Sequence, residues 1–501
     1  MLLTVSIIHD TIDTATAGAD PLSSLVTQSQ DITENSSTAE STTCRYGVSS
    51  WNANDTNFLQ DLGIGWVLNF GGSFPNYLPD GVEFTPMVRF KPQLDGNGNR
   101  TGNYRVISQP FTDAPGGLGP VIAARPGTLW LIGNEVERTE YQDDLMPNEY
   151  AKAYHDAYHF IKERDPSAQI AISALVEVTP GRLQYLDLVW SSYLAQYGTT
   201  MPVDYWNMHI YVLPEINQNG VDSAAGLALG TDPAIAIFNS SGGPCSAANV
   251  YCWKDHDNMT LFKEQAVAMR QWMKNHGQQN KPLLLSEYSL LPYVDFQDEN
   301  GEDFSEDRVQ QFMKNTFEYI ESTEAIDANL GYPKDNNRLI QQSLWFTVYS
   351  DDSFSSNLVE ENYDLKLPGL EFRNKIDGQR PFSTNPVIDY ASPATGKTTT
   401  PGGTASVTIG ATLYNNGDTA TTTGTTVNFY ANAAKTDLIG TAIMPAGLPG
   451  CVRSTDQVSI TWDNLEEGVH SYWAEVNGSN TVQGIVIINP EEVFLPAVSR
   501  P

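Results

Sequence analysis

The stretch TLWLIGNEVE, residues 128–137, runs four apolar residues into Gly133 and then sets Asn134 and Glu135 side by side. KPLLLSEYSLL, residues 281–291, repeats the arrangement, with Leu283, Leu284 and Leu285 leading through Ser286 to Glu287. Short apolar runs without polar alternation suit strands buried on both faces, as in a parallel sheet. A carboxylate at the end of such a strand is costly to bury unless it is paired or used. These stretches are the fourth and seventh of eight. The others are CRYGVSSW (44–51), GIGWVLNFGG (63–72), EFTPMVRF (83–90), QIAISALVE (169–177), VDYWNMHIYV (203–212) and QQSLWFTVYS (341–350).

Several segments between the runs carry helical periodicity. Residues 147–165 open on a proline and repeat Tyr150, Tyr154 and Tyr158 along one stripe, and 182–197, 257–276 and 305–323 also read as helices. This alternation of strand and helix predicts an α/β chain with a (β/α)8 TIM barrel. A doubly wound open sheet is the rival. It usually carries a glycine-rich phosphate turn after its first strand, and YGVSSWNAND has none.

Beyond residue 390 the pattern changes. ASPATGKTTTPGGTAS reads as a linker. SVTIGATLYNNG, TTVNFYANA, DQVSITWDNL, HSYWAEVNG and TVQGIVIIN then alternate at period two, which predicts a small antiparallel β-sandwich. The expected organisation is a flexible leader at 1–43, a barrel domain at 44–390, a linker at 391–403, a sandwich at 404–490 and a tail at 491–501. The leader opens on MLLTVSII, which fits the remnant of a secretion signal although no Lys or Arg precedes it.

The 501 residues include 28 Lys+Arg against 60 Asp+Glu, a formal net charge of −32. Such a charge repels nucleic-acid backbones and anionic membranes and points to a neutral ligand, in a secreted or cell-surface protein. No apolar run is long enough for a transmembrane helix. The 10 Trp and 23 Tyr suit sugar rings and protein cores equally. Four cysteines stand at 44, 245, 252 and 451 without a CxxC pair, which disfavours a zinc cluster. Cys245 and Cys252 bracket a short loop that a disulfide would close in an oxidising compartment, with two free thiols as the alternative.

LWLIGNE at the fourth run and LLLSEY at the seventh resemble the clan A glycoside hydrolases, over residues 44 to about 370. The resemblance implies a barrel that hydrolyses β-glycosidic bonds with retention, using two Glu and no metal or cofactor. It implies Glu135 as acid/base, Glu287 as nucleophile and Asn134 as a contact to the sugar 2-hydroxyl. On strand six His209 and Tyr211 alternate onto one face, where the clan orients the nucleophile or contacts sugar. Trp345 on strand eight corresponds to a Trp stacked under the sugar, and Trp51 after strand one is a weaker candidate. Arg89 ends strand three and offers a cation to keep the nucleophile ionised. Here the match departs from the clan, which more often carries that Arg on strand two, where this chain has Asn69 and Phe70. Glu137 and Glu177 also sit near strand ends, but the Asn-Glu register favours Glu135. The C-terminal strands, with NNG, VNFY and YWAEVNG, resemble bacterial Ig-like modules related to cell-adhesion domains.

Retaining hydrolysis needs one protonated carboxyl to release the leaving oxygen and one carboxylate to attack the anomeric carbon, about 5–5.5 Å apart. Strands four and seven lie across an eight-stranded barrel from each other, so their ends face one another. The competing expectation is a carbohydrate-binding or surface adhesion protein on a glycosidase-like barrel without turnover. In either case the partner is a carbohydrate, with cell-surface or polysaccharide contact through the C-terminal module.

Overall fold

All eight apolar runs form strands. The computed structural model describes residues 42–49, 59, 62–75, 78–139, 142–215, 224–235, 251–476, 478 and 480–489. Most of the leader, Trp51, Cys245 and the tail fall outside them, and with them the Cys245–Cys252 pairing. In chain order the elements are β1 (Thr43–Ser49), β2 (Ile64–Leu68), β3 (Glu83–Thr85), β4 (Met87–Val88), β5 (Phe90–Leu94), β6 (Arg100–Val106), α1 (Leu118–Ala124), β7 (Leu129–Ile132), α2 (Pro147–Arg164), β8 (Gln169–Ile172), α3 (Pro180–Tyr197), β9 (Trp206–His209), α4 (Met259–Asn275), β10 (Leu283–Tyr288), α5 (Glu306–Glu321), β11 (Gln342–Trp345) and α6 (Leu367–Asp377). The four helices read from periodicity are α2 to α5. The β5–β6 hairpin was not anticipated, nor was the lack of a helix between β2 and β3 among the described residues.

One parallel sheet runs β3-β2-β1-β11-β10-β9 and another β4-β7-β8. They meet at two places. β3 and β4 are one run interrupted at Pro86, β3 pairing with β2 and β4 with β7. On the other side Ala171 of β8 bridges Tyr205, just ahead of β9. The result is a mixed α/β unit around a curled parallel sheet.

Period-two alternation divides the strand residues between two cores. Trp66, Leu68, Met87, Leu129, Leu131, Ala171, Leu284 and Leu344 form one buried cluster with Tyr205. Their neighbours Val67, Val88, Trp130, Ile132, Ile170, Ile172, Leu283, Leu285 and Trp345 pack in the larger core with the helices. Gly47 leaves room for the first cluster, since a Cβ there would lie 2.8 Å from the Trp66 ring. Helix α5 shows how the outer layer is cut: Ser305 Oγ accepts the Arg308 N–H, and Glu306 and Asp307 occupy the positive first turn. Among the described residues no helix is long and apolar enough to cross a membrane.

The remaining strands are β12 (Pro386–Ser392), β13 (Ala394–Gly396), β14 (Ala405–Asn415), β15 (Thr425–Tyr430), β16 (Leu438–Met444), β17 (Thr455–Leu465), β18 (Gly468–Val476) and β19 (Asn480–Ile488). They form sheets ordered β12-β14-β17 and β13-β19-β18-β15-β16, around a core that includes Ile409, Leu413, Phe429, Tyr472 and Val486. Residues 386–396, read from sequence as the end of the barrel domain and the start of a linker, instead pair with β14 and β19. Polar composition concealed this, because short strands at a sheet margin need few apolar side chains.

The two regions are also tied directly. Cys44 and Cys451 form a disulfide across a sequence separation of 407. Next to it Arg45 grips Asp335 with two N–H groups at 2.6 and 2.8 Å and donates Nε to Asp418 at 2.9 Å. A bidentate pair of this kind fixes direction as well as distance.

Candidate active site

β7 ends in a turn that sequence alone makes unusual. Gly133 adopts φ +92°, where a Cβ would come within 2.6 Å of the Val136 side chain. Glu135 itself holds φ 42°, in the left-handed region that non-glycine residues seldom occupy. Such strain persists where surrounding bonds over-determine it. Here the Glu135 N–H donates to the Ala174 carbonyl at 3.1 Å, and the Asn134 N–H donates to Asp143 Oδ2 at 3.1 Å. Buried Asp143 also accepts the Phe90 N–H at 3.2 Å and Arg89 Nε at 2.5 Å.

β10 aims Glu287 by a different device. By strict alternation from Leu284, Glu287 would share the outward side of Leu285. The register with β9 shifts between Leu285 and Glu287, and the register with β11 between Leu285 and Tyr288. Irregularities of this sort re-aim side chains. Glu287 consequently faces His209, while Tyr288 packs outward against Phe262 and Trp345.

The structure brings Glu135, His209, Glu287 and Tyr211 together. His209 Nδ1 lies 2.9 Å from Glu135 Oε1, and its Nε2 lies 3.5 Å from Glu287 Oε1. Tyr211 Oη donates to Glu287 Oε2 at 3.2 Å. Ligand atoms of Glu135, His209 and Glu287 all lie within 4.8 Å of one another. Among the described residues this is also the one group of three His, Cys, Asp or Glu side chains close enough to share a metal ion.

Two carboxylates this close cannot both ionise cheaply, and their surroundings decide between them. Burial raises Glu135, but Arg138, whose Nη1 donates to Oε2 at 2.5 Å, and His209 outweigh it and hold the carboxyl below its ordinary range. Burial and then the Glu135 charge push Glu287 up, against His209, Tyr211 and Arg89. Burial alone would lower His209, yet the two carboxylates raise it. Since an ionised carboxylate only accepts, His209 Nδ1 is the donor toward Glu135.

Asn134 is buried beside the pair. Its Nδ2 donates to Gln142 Oε1 at 2.8 Å, while its buried Oδ1 has no hydrogen-bond partner. Arg89 makes its contact with Asp143, and its charge reaches Glu287 through space. Trp345 is not at the site. It is fully buried in the outer core, its Nε1 donating to Ser356 at 2.9 Å and its ring 5.2 Å from Tyr288. Alternation explains this, because Leu344 takes the inward position. Aromatic surface at the strand ends is supplied instead by half-buried Phe70 and Phe346, 6.0 Å apart.

Sequence reasoning missed Arg138, Gln142 and Asp143. Arg138 had a signal, as the basic residue three positions after Glu135. Glu137 and Glu177 prove to be structural partners of fully buried Arg182, at 3.2 and 3.5 Å, with Glu215 as a third carboxylate.

The sequence matches no protein-family model and no curated protein. Among solved structures it is similar to a GH128 (subgroup II) endo-β-1,3-glucanase from Sorangium cellulosum, at 18% identity, covering 66% of this chain and 98% of that one, with a TM-score of 0.38. It is similar also to a GH128 (subgroup I) endo-β-1,3-glucanase from Amycolatopsis mediterranei bound to laminaripentaose, at 14% identity, 66% and 98% coverage and a TM-score of 0.40. A third is a GH128 (subgroup VII) oligosaccharide-binding protein from Trichoderma gamsii, at 11% identity, 67% and 94% coverage and a TM-score of 0.37. All three TM-scores lie below 0.5.

Proposed function

We propose that this protein is a retaining glycoside hydrolase of the clan A type, which cleaves β-glycosidic bonds of a poly- or oligosaccharide on a (β/α)8 barrel followed by an Ig-like module. The observation that carries this reading is the buried Glu135–His209–Glu287 group at the C-terminal ends of β7, β9 and β10, with ligand atoms within 4.8 Å. One carboxylate oxygen of each Glu lies within that distance of the other, a close pair of the kind double displacement uses, where the carboxyls stand about 5–5.5 Å apart. Glu135 protonates the leaving oxygen while Glu287 attacks the anomeric carbon. Glu135 then takes a proton from the water that releases the sugar. Tyr211 orients Glu287, and the unpartnered Asn134 Oδ1 accepts a sugar hydroxyl. The Cys44–Cys451 disulfide supports export to an oxidising compartment as part of the proposal.

A second reading is favoured by one observation. Both oxygens of Glu135 are engaged by donors, which suits a site that binds sugar without turning it over. A panel of β-glycans, with β-1,3-glucans first, separates the two. Release of reducing ends by the wild type, abolished in Glu287→Gln, supports hydrolysis; oligosaccharide binding without release supports the second reading. Azide rescue assigns the roles: Glu135→Ala should give a product of retained configuration and Glu287→Ala the inverted one, and the reverse outcome would exchange them.

A further inference from the structure

Glu135 is gripped from two sides. Oε1 faces His209 Nδ1 at 2.9 Å, and Oε2 accepts Arg138 Nη1 at 2.5 Å. The other end of the guanidinium, Nη2, donates to the Ala224 carbonyl at 2.7 Å. A guanidinium carries donors only, so a proton on Glu135 Oε2 would set one donor against another. The arrangement fits the carboxylate, whereas the first step of hydrolysis consumes the acid.

The two grips differ in burial. The His209 side chain is 1% exposed on a sheet strand, while that of Arg138 is 22% exposed in the loop after the turn. The segment Arg138 reaches does not depend on it. Buried Arg182 on α3 holds the next two carbonyls, Ala225 and Gly226, at 3.0 and 3.1 Å. Arg138 can therefore leave without releasing the wall of the site.

We propose that Arg138 is a positioning residue acting through Glu135: it locks Glu135 as the carboxylate while the site is empty, and arriving sugar displaces it before Glu135 gives up a proton. This rests on the glycosidase reading and adds a dependence of its acid on occupancy. When Arg138 leaves, Glu135 takes a proton from solvent. That proton passes to the leaving oxygen as the glycosidic C–O bond breaks and Glu287 bonds to the anomeric carbon. Water then gives a proton to Glu135 while its oxygen displaces Glu287; Glu135 releases that proton to solvent, and Arg138 closes on the carboxylate so formed. The other groups acting on Glu135 are Glu137 on the same turn, His209 on β9, Tyr211 beyond it, Glu287 on β10 and Arg182 on α3. Glu137 and Glu287 favour its protonation once Arg138 is gone.

The test compares Arg138→Gln and Arg138→Lys with the wild type in the pH dependence of kcat/KM. On an oligosaccharide with a poor leaving group, Glu135, the lower-titrating of the pair, sets the acid limb, so in Arg138→Gln that limb should move up by about 1–3 pH units, the usual effect of a nearby opposite charge on a carboxyl, while the basic limb set by Glu287 stays. Arg138→Lys should stay near the wild type. On an activated aryl glycoside, which departs without a proton, the limb should not move. A uniform loss at every pH with an unmoved limb would leave Arg138 a structural role and overturn the proposal. Carboxyl ¹³C NMR, with Glu135→Gln as the assignment control, reads the same contact without turnover. Glu135 should titrate higher in Arg138→Gln, and an unchanged titration overturns the proposal on its own. If that shift appears but no glycan is cleaved, the glycosidase reading fails while the lock on Glu135 stands.

Discussion

Replacing Arg182 by Met is the most informative test of how the carboxylates behind the site are held. Arg182 is fully buried and faces three of them: Glu137 at 3.2 Å, Glu177 at 3.5 Å, and Glu215 in direct hydrogen-bonding contact. It also donates to the carbonyls of Ala225 and Gly226. Methionine keeps much of the stem and removes the charge. Taking one partner from a buried ion pair costs about 3–5 kcal/mol, because the charge left behind has no compensation. The cost should depend on pH in a definite direction. Burial already raises Glu137 and holds Glu177 well above its usual range, and loss of Arg182 raises both further. Acids with a folded-state pKa above the unfolded value give stability that is full at low pH and lost as pH rises through the folded value. The penalty should therefore approach its full size near about pH 8 and shrink toward about pH 5, where the acids keep their protons. Urea unfolding followed by tryptophan fluorescence at both pH values measures it. A loss below about 1 kcal/mol at the higher pH, or a larger loss at the lower one, would refute the reasoning.

Three further outcomes follow from the structure. Trp345→Ala should lower stability by about 3–5 kcal/mol, as for other large core truncations, without a selective rise in KM; a raised KM at unchanged stability would return Trp345 to the sugar site. His256 is buried and lowered to about 4 by burial, its Nδ1 facing the Val212 carbonyl and its Nε2 accepting the Leu291 N–H. Its contribution is present above the ordinary histidine value and is lost as pH falls toward about 4, so imidazole NMR should find it neutral at about pH 5; a protonated ring there would contradict the assignment. A protease cut within residues 45–450 should leave a single band on a non-reducing gel and two after reduction, because Cys44 and Cys451 lie outside the cut; two bands without reductant would show the bond absent.

The sequence made the eight strands legible because each is an apolar run of strand length, and the paired Glu ends marked the candidate site. It did not show which side of a strand each residue would take once register slipped. Glu287 faces inward through the irregularity after Leu285, and Trp345 faces outward by ordinary alternation from Leu344. The β5–β6 hairpin was legible in DGNGN, a turn signal between Leu94 and Arg100, but the polar, largely exposed β6 and the exposed end of β5 carry no apolar run to mark them as strands. Arg138 stood three residues from Glu135, but only the fold shows it reaching back to Oε2. The Cys44–Cys451 bond joins residues too distant in sequence for any spacing rule.

That bond has a mechanical consequence. The chain enters the described structure at its first strand and makes a covalent loop of nearly the whole molecule before Cys451 returns to Cys44. Tension applied between the segments flanking the loop would run through one sulfur–sulfur link and the adjoining residues, bypassing β1 to β11. The strands that hold Glu135 and Glu287 would stay slack under a pull that would unravel an unbridged chain.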